Sequence, residues 1–281
     1  LVPVGCWILT WNEGRAVQTA RSLAEGAAMV VPAEPARLDP ALEGRLVHVS
    51  GPLTVGRTLG DAEFGVIAPP GTLRFQRRVE MFQWTEESRS TTETTLGGTQ
   101  ETRTTWSYER RWAPDRVASE QFRRPDDHVN PRPRWTSRAE SVPEARLGVR
   151  RLTAEQLQGV GETAELRPAE AALRLPQGAR LVDGVIHTGD PDRPQLGDLR
   201  ISFVAAGVAA ASVVGRQAGD GFAPFPAPSG DELLLVAGGE VPASAMFAEA
   251  EADNRMLTWL LRLGGSVVIM MGFAMVLGPL P

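Results

Sequence analysis

Lysine is absent from this 281-residue chain, cysteine occurs once, histidine three times, and no charged residue follows Arg262. All 29 basic residues are therefore arginine, a coding bias that points to a GC-rich, bacterial source. The lone Cys6 excludes disulfides within the chain and thiolate metal clusters, so an oxidising compartment is permitted but not implied. His48, His128 and His187 lie far apart, and neither an H-E-x-x-H motif nor paired-cysteine spacing occurs. A net charge of −5 argues against a nucleic-acid partner, whose footprint is a strong basic excess. Hydrophobic and charged fractions of 42% and 22% are those of a globular chain, long enough for one large domain or two ordinary ones.

The charge-free end is the first positive signal. From Met256 the sequence reads "MLTWLLRLGGSVVIMMGFAMVLGPLP", close to the roughly 20 apolar residues a spanning helix needs. A buried C-terminal helix is the alternative, but Gly264, Gly265 and Gly272 suit a membrane helix, where small residues permit close helix contact. The head, "LVPVGCWILTW", lacks a basic n-region and a cleavage site and is too short to cross a bilayer. It reads as the last turns of another span, which makes the chain a fragment cut inside two membrane helices, with Trp7, Trp11 and Trp259 at the water boundary.

Between these ends, apolar spacing predicts a helix over 13–28, followed by a Pro-rich connector and a strand over 45–53. Residues 74–113 hold two β-rich segments joined at Gly97-Gly98, which predicts a hairpin. Pairing residues i and 196 − i sets Trp84 opposite Trp112, Glu86 opposite Arg110 and Glu93 opposite Arg103. Phe82, Trp84, Trp106, Tyr108 and Trp112 then share one face near the base, and the Thr-rich tip projects. That face is core, ligand platform or partner surface, with core the default. Thr153 and Gln156 form a capping box, with Leu152 and Leu157 as its staple, predicting a short helix that ends near Gly159. The apolar run 201–214 is too short to span and predicts two buried strands around Gly207. After the strand "ELLLVA", Ser244 is expected to cap a helix that continues into the membrane, its acidic first turns suiting a helix N-terminus.

Catalytic signatures are weak throughout. His48 and Ser50 share a strand face about 7 Å apart, too far for direct nucleophile and base contact. Asp126, Asp127 and His128 are the best candidate cation site, although Asp-Asp in a Pro-bounded loop is more often turn chemistry. "GVGETAE" lacks the lysine of a phosphate loop and reads as a helix-ending turn.

The order of motifs resembles the transmembrane protein 43 (LUMA) family. "WNEGRAVQTARSLAEG", "EGRLVHVSGPL", "FGV", "RVEMFQWTE" and "TWSYERRW" carry the resemblance, followed by Phe122 and the "HVNP" of His128 to Pro131. "QLGDLRISF", "VVGRQAGDGFAPF" and "TWLLRLGG" complete the series, which covers nearly the whole chain. It implies a multi-pass membrane protein whose large domain is lumenal in animals and periplasmic in a bacterium. It also implies a scaffold that associates with itself and with other membrane proteins, without established catalytic residues or cofactor. Arg15, Arg21, Arg255 and Arg262 on the domain side run mildly against that placement.

The combined expectation is an α+β protein, read as a single domain whose mixed or antiparallel sheet carries the hairpin. Its parts are the end of a first span over 1–11, a soluble domain over 12–255 and a second span over 256–281. Two independent domains split near 139–150 are the competing organisation. The candidate interaction surface is Trp84, Gly97, Gly98, Trp106, Tyr108 and Trp112, and the candidate helix-packing residues are Gly264, Gly265 and Gly272. The expected partners are a second copy of the chain, other membrane proteins and the lipid bilayer, with no nucleic acid. The alternative function is an envelope enzyme or lipid-binding protein whose site is not visible in sequence.

Overall fold

The computed structural model describes residues 1–94, 100–168 and 170–278. The architecture is α+β, with β-rich sheets lying in the chain between an N-terminal helix and an apolar C-terminal helix. Two compact units emerge, neither continuous in sequence. Leu1–Gly56, Pro143–Gly161 and Val208–Pro281 form the first, and Arg57–Val142 with Glu162–Gly207 form the second. The chain crosses between them four times, and only the step from Val142 to Pro143 falls within 139–150.

In the first unit, helix α1 runs unbroken over Val2–Met29, with Pro3 in its first turn. It fuses the apolar head to the stretch 13–28, because no breaker stronger than Gly14 stands between them. Helix α2 spans Ala243–Leu277. Its N-cap is Pro242 rather than the expected Ser244, and its first turn holds no acidic residue; Glu249, Glu251 and Asp253 come later. Pro242 supplies the extended entry that a cap requires, so the helix starts before Ser244 is reached.

The sheet of this unit closes on itself. Leu46–Thr54 pairs with Ala210–Ala218 along one edge and with Glu144–Leu147 at its end. Glu144–Leu147 turns into Arg150–Thr153, which meets Gly221–Ala223, and that strand returns to Ala210–Ala218. Closure removes strand edges that would otherwise invite association. Val47, Val49, Leu147, Leu152 and Val213 are fully buried, and Leu23 of α1, Leu46, Leu233, Met246 and Phe247 of α2 form a second apolar cluster. Gly26 makes this approach possible, since a Cβ there would lie 3.0 Å from the Phe247 ring.

Arg150 is also fully buried in this unit. Its guanidinium donates to the Glu34 carbonyl at 2.7 Å and to Gln217 Oε1 at 3.0 Å, and Gln217 donates to the Asp39 carbonyl at 2.8 Å. Burial pushes this guanidinium below its ordinary pKa. The side chain thereby fixes the Pro-rich connector, whose backbone groups need partners once buried. The Thr153/Gln156 box forms reciprocally, at 3.0 and 3.4 Å, over buried Leu152 and Leu157. It closes turns rather than the helix expected there, because Gly159 enters the left-handed region at φ 80° within two residues of Leu157.

In the second unit, the long strand Thr72–Thr94 lies at the centre. Leu199–Gly207 pairs with its first half on one side, while Arg138–Ser141 and then Gln100–Pro114 pair on the other. Its odd-numbered residues Leu73, Phe75, Val79 and Met81 are buried with Ile186, Ile201, Phe203, Phe64 and Trp135. Arg77, on the same face, is neutralised by Asp61 and Glu63, each at 2.8 Å. The apolar run 201–214 does form two strands, and its halves end in different units.

The hairpin exists, but its register is i + j = 194 rather than 196. Phe82 faces Trp112, Trp84 faces Arg110 and Glu86 faces Tyr108, so the expected Trp84–Trp112, Glu86–Arg110 and Glu93–Arg103 pairs do not form. The observed register substitutes other contacts: the Arg110 guanidinium lies 5.3 Å from the Trp84 ring, and the Tyr108 hydroxyl donates to Glu86 at 2.7 Å. A shift of two leaves every side chain on its face. Gly97-Gly98 lies outside the described residues.

Candidate functional site

The shared face of the hairpin is a ladder of rings and guanidinium groups. At its base Phe82 and Trp112 are 5.6 Å apart, with Arg200 4.0 Å from the Trp112 centroid and His187 edge-on at 6.4 Å. Next, His128 stacks on Tyr108 at 3.7 Å and stands edge-on to Trp84 at 4.8 Å. Phe122 lies 6.1 Å from Tyr108, and Arg123 lies 5.6 Å from Trp106. Core is the default of the three expected roles, ahead of ligand platform and partner surface. The buried side of the strand is instead the opposite one, and Trp106 remains 40% exposed. Residues 116–130, rather than a second sheet layer, cover these aromatics.

Asn130 holds that cover in place. Buried to 2% exposure, it accepts from the Trp84 N–H at 2.8 Å and donates to the Trp84 carbonyl at 2.9 Å, as a neighbouring strand would. It donates also to the Val117 carbonyl at 3.2 Å, and its own N–H reaches Ser119 at 2.9 Å. Gln83 secures the other end of the segment by accepting from the Val117 N–H at 2.8 Å. Desolvation and the Glu86 carboxylate push the Tyr108 phenol above its ordinary pKa, and desolvation, with Arg200 beside it, pushes His187 down. Arg116 hydrogen bonds to Glu120 and lowers that carboxyl.

Further along, the ribbon has only its own two strands among the described residues. Ser90 pairs with Thr104 at 2.9 Å and Thr92 with Thr102 at 3.1 Å, through exposed hydroxyls. Sequence reasoning found the aromatic residues but missed Asn130, Arg123 and Arg200, although the "HVNP" motif was the signal for the first.

The other chemical candidates have local partners. His48 Nε2 donates to the Val241 carbonyl at 2.9 Å, while Ser50 lies 2.8 Å from the Ser212 hydroxyl, which donates in turn to the Gly239 carbonyl at 2.9 Å. The two are not joined. Asp126 and Asp127 are exposed in a turn, and the adjacent His128 ring is committed to Tyr108. Among the described residues, no three His, Cys, Asp or Glu side chains gather in a metal-holding group.

The two helices of the first unit pair with each other. A Cβ on Gly265 would lie 2.8 Å from Leu9, one on Gly272 2.7 Å from Val2, and one on Gly5 2.9 Å from the Gly265 carbonyl. Gly264 meets nothing within 4 Å. A polar layer follows, missed in the sequence because its partners are 238 to 246 positions apart. Asn12 donates to the Thr258 carbonyl at 3.1 Å, Arg15 to Asn254 at 3.0 Å and to the Thr258 hydroxyl at 3.1 Å, and Asn254 to the Ala16 carbonyl at 3.0 Å. Arg262 reaches back to Glu13 at 2.7 Å. Outward, Val4, Trp7, Trp259, Leu260, Leu263, Met270 and Met275 are each at least half exposed. Helix α2 is long and apolar enough to cross a membrane.

A sequence model of the family described as Transmembrane protein 43 matches residues 81–281. Transmembrane protein 43 of Homo sapiens is 35% identical over 280 residues, covering 95% of this chain and 69% of its own length. The Mus musculus protein is 34% identical with the same coverage. The Drosophila melanogaster homolog is 31% identical over 94% of this chain and 71% of its own. No solved structure matches. With an outward apolar helix surface and relatives aligned along nearly all of its length, the chain belongs to the transmembrane protein 43 family of membrane proteins.

Proposed function

We propose that this chain is a membrane-anchored scaffold that gathers membrane proteins, further copies of itself included, through the β-rich region held between its helices. The observation that carries this reading is the exposed ribbon beyond Glu86 and Tyr108. Two-stranded ribbons are marginal in water without a third strand or a packed face, and among the described residues this one has neither within its own sheet. A protein partner would supply what it lacks.

The membrane boundary is drawn at 11/12 and 255/256. It is supported by the change from outward apolar residues such as Trp7 and Trp259 to the polar layer of Asn12, Arg15 and Asn254. Both ends of the β-rich region then meet one side of the bilayer. Family resemblance favours the lumenal side, which is the periplasm for the bacterial source suggested by the all-arginine composition.

Crosslinking in native membranes, followed by identification of the trapped chains, tests the scaffold reading. Recovery of further copies and of integral membrane proteins is expected; a chain that traps nothing overturns it. For the side, a single cysteine replacing exposed Thr102 in a Cys6→Ser background reports directly. An impermeant thiol reagent labels it on intact spheroplasts if the region is periplasmic. Labelling only after lysis places it in the cytoplasm.

A further inference from the structure

Strand Gln100–Pro114 is the last strand in its sheet, and it presents a free edge along most of its length. Which of its main-chain groups face outward follows from the ladder. The Asp115 N–H donates to Val79, which makes the odd-numbered pairs of the hairpin the hydrogen-bonded ones. The other edge agrees: Phe82 bonds outward to Asp198 and Trp84 to Asn130, both even positions. On Gln100–Pro114, therefore, Thr102, Thr104, Trp106, Tyr108 and Arg110 turn their N–H and C=O groups away from the hairpin. Among the described residues, no hydrogen bond reaches the outward main chain of these five. Asn130 caps the opposite edge of the ribbon at Trp84, and among the described residues nothing equivalent caps this one.

The charges along this edge are self-complementary in one antiparallel register. Centred on Trp106, so that i and j sum to 212, Thr104 faces Tyr108 of the second copy and Thr102 faces Arg110. These are the outward-facing positions, so their main chains bond. At the intervening positions Glu101 faces Arg111, Arg103 faces Glu109 and Thr105 faces Ser107, each pair occurring twice by symmetry. Those are the non-bonded pairs, whose Cα atoms approach to about 4.5 Å and whose side chains interact best. Sliding the strands by two residues sets Glu101 against Glu109 in one direction and Arg103 against Arg111 in the other. Arg103 and Glu109 are exposed, and among the described side chains neither has an ion-pair partner, whereas Arg111 reaches Glu87 at 2.9 Å.

We propose that the Gln100–Pro114 edge is the contact between two copies of this chain, joined antiparallel about Trp106 so that two sheets become one. The proposal rests on the homo-oligomer reading above and names its surface. The interface is isologous, the same patch on both copies, so it uses up this edge on each chain and does not propagate through it.

The test mixes two single-cysteine chains, both Cys6→Ser, co-expressed with different tags in native membranes. Thr105→Cys with Ser107→Cys should give a disulfide-linked mixed dimer on mild oxidation, and each alone far less. Ser90→Cys with Thr92→Cys probes the other edge of the ribbon and should stay unlinked. Arg103→Glu should weaken the dimer about tenfold, and Arg103→Glu/Glu109→Arg should restore it. Because the chain has 34 acidic residues and no lysine, a carboxylate-to-carboxylate dihydrazide crosslinker run in parallel reports oligomers of any geometry. If it traps oligomers while the 105/107 mixture stays monomeric, or if 90/92 links instead, this edge is wrong and the homo-oligomer reading stands. A dimer indifferent to Arg103→Glu overturns the register. If no oligomer is trapped by any route, both fall.

Discussion

The α1/α2 pair and the β hairpin are each two elements side by side, and they handle their backbone polar groups in opposite ways. The helices satisfy theirs internally, so they can turn apolar side chains outward and meet each other through small residues, Gly5, Gly265 and Gly272. What remains polar between them, Asn12, Arg15, Asn254 and Thr258, is paired across the seam and fixes one alignment. The hairpin satisfies only its inner row. Its outer row needs water, a side chain such as Asn130, or another strand. A helix pair of this kind is finished once it sits in lipid; a ribbon of this kind leaves strand edges open.

The largest effect should come from removing the one side chain that finishes part of the ribbon. Asn130→Ala strips three side-chain hydrogen bonds from buried groups and should cost about 3 kcal/mol. Thermal unfolding of the detergent-solubilised protein would show the loss, and proteolysis within 116–130 should accelerate. If both stay unchanged, Asn130 is not the substitute strand described here. On the helix side, Gly5→Leu drives a side chain against the Gly265 carbonyl and should cost about 2 kcal/mol by overpacking. Loss of a disulfide between cysteines placed at Leu9 and Gly265 would report separation of the helices.

Smaller still is a pH effect at the base of the hairpin. His187 has its pKa below the ordinary 6.5, first through desolvation and then through Arg200. The unfolded chain therefore takes up the proton more readily than the folded one. The stabilisation is fully present above the unfolded value and is lost as pH falls from about 6.5 toward the lowered value. His187→Gln should flatten the stability profile in that window; a slope identical to that of the parent would remove His187 as its source. The smallest effect is Gly264→Leu, which meets open space and should shift stability within about 0.5 kcal/mol. A large loss of crosslinked oligomer from this change alone would show that a second copy packs there, making the helix pair as unfinished as the ribbon.

Legibility in the sequence followed the range of the interaction. The apolar stretch after Arg262 and the β-rich segments around 74–113 were readable because each rests on a run of neighbouring residues. The hairpin register differs by two from the one that opposing charges and like aromatics predict. The chain instead sets Arg110 on Trp84 and Tyr108 beside Glu86, contacts of comparable strength that a charge count does not rank. The aromatic face was correctly grouped, since a shift of two preserves faces, but its cover by 116–130 depends on Asn130 reaching Trp84 across 46 positions. The polar layer of the helix pair is longer in range still, with 246 positions between Asn12 and Thr258. Short-range rules do not see such contacts. Helix starts failed for a different reason: Ser244 is a good cap by type, but Pro242 comes first.

The interleaving of the two units has a consequence in time. A chain emerging from its N-terminus delivers α1 and the first strand of the closed sheet, then most of the second unit, and only afterwards the strands that complete either. The second unit waits for Leu199–Gly207, and the closed sheet waits for Ala210–Ala218, which follows at once. Domains ordinarily fold one by one during synthesis. Here the two are released together by a single stretch of about twenty residues. At the modest pace of translation, the long Thr72–Thr94 strand and its hairpin partner spend many seconds without the rest of their sheet. That interval is when the outer edge of Gln100–Pro114 is most open to a neighbouring nascent chain, so if the proposed dimer forms, copies made side by side on one messenger have the earliest chance to pair.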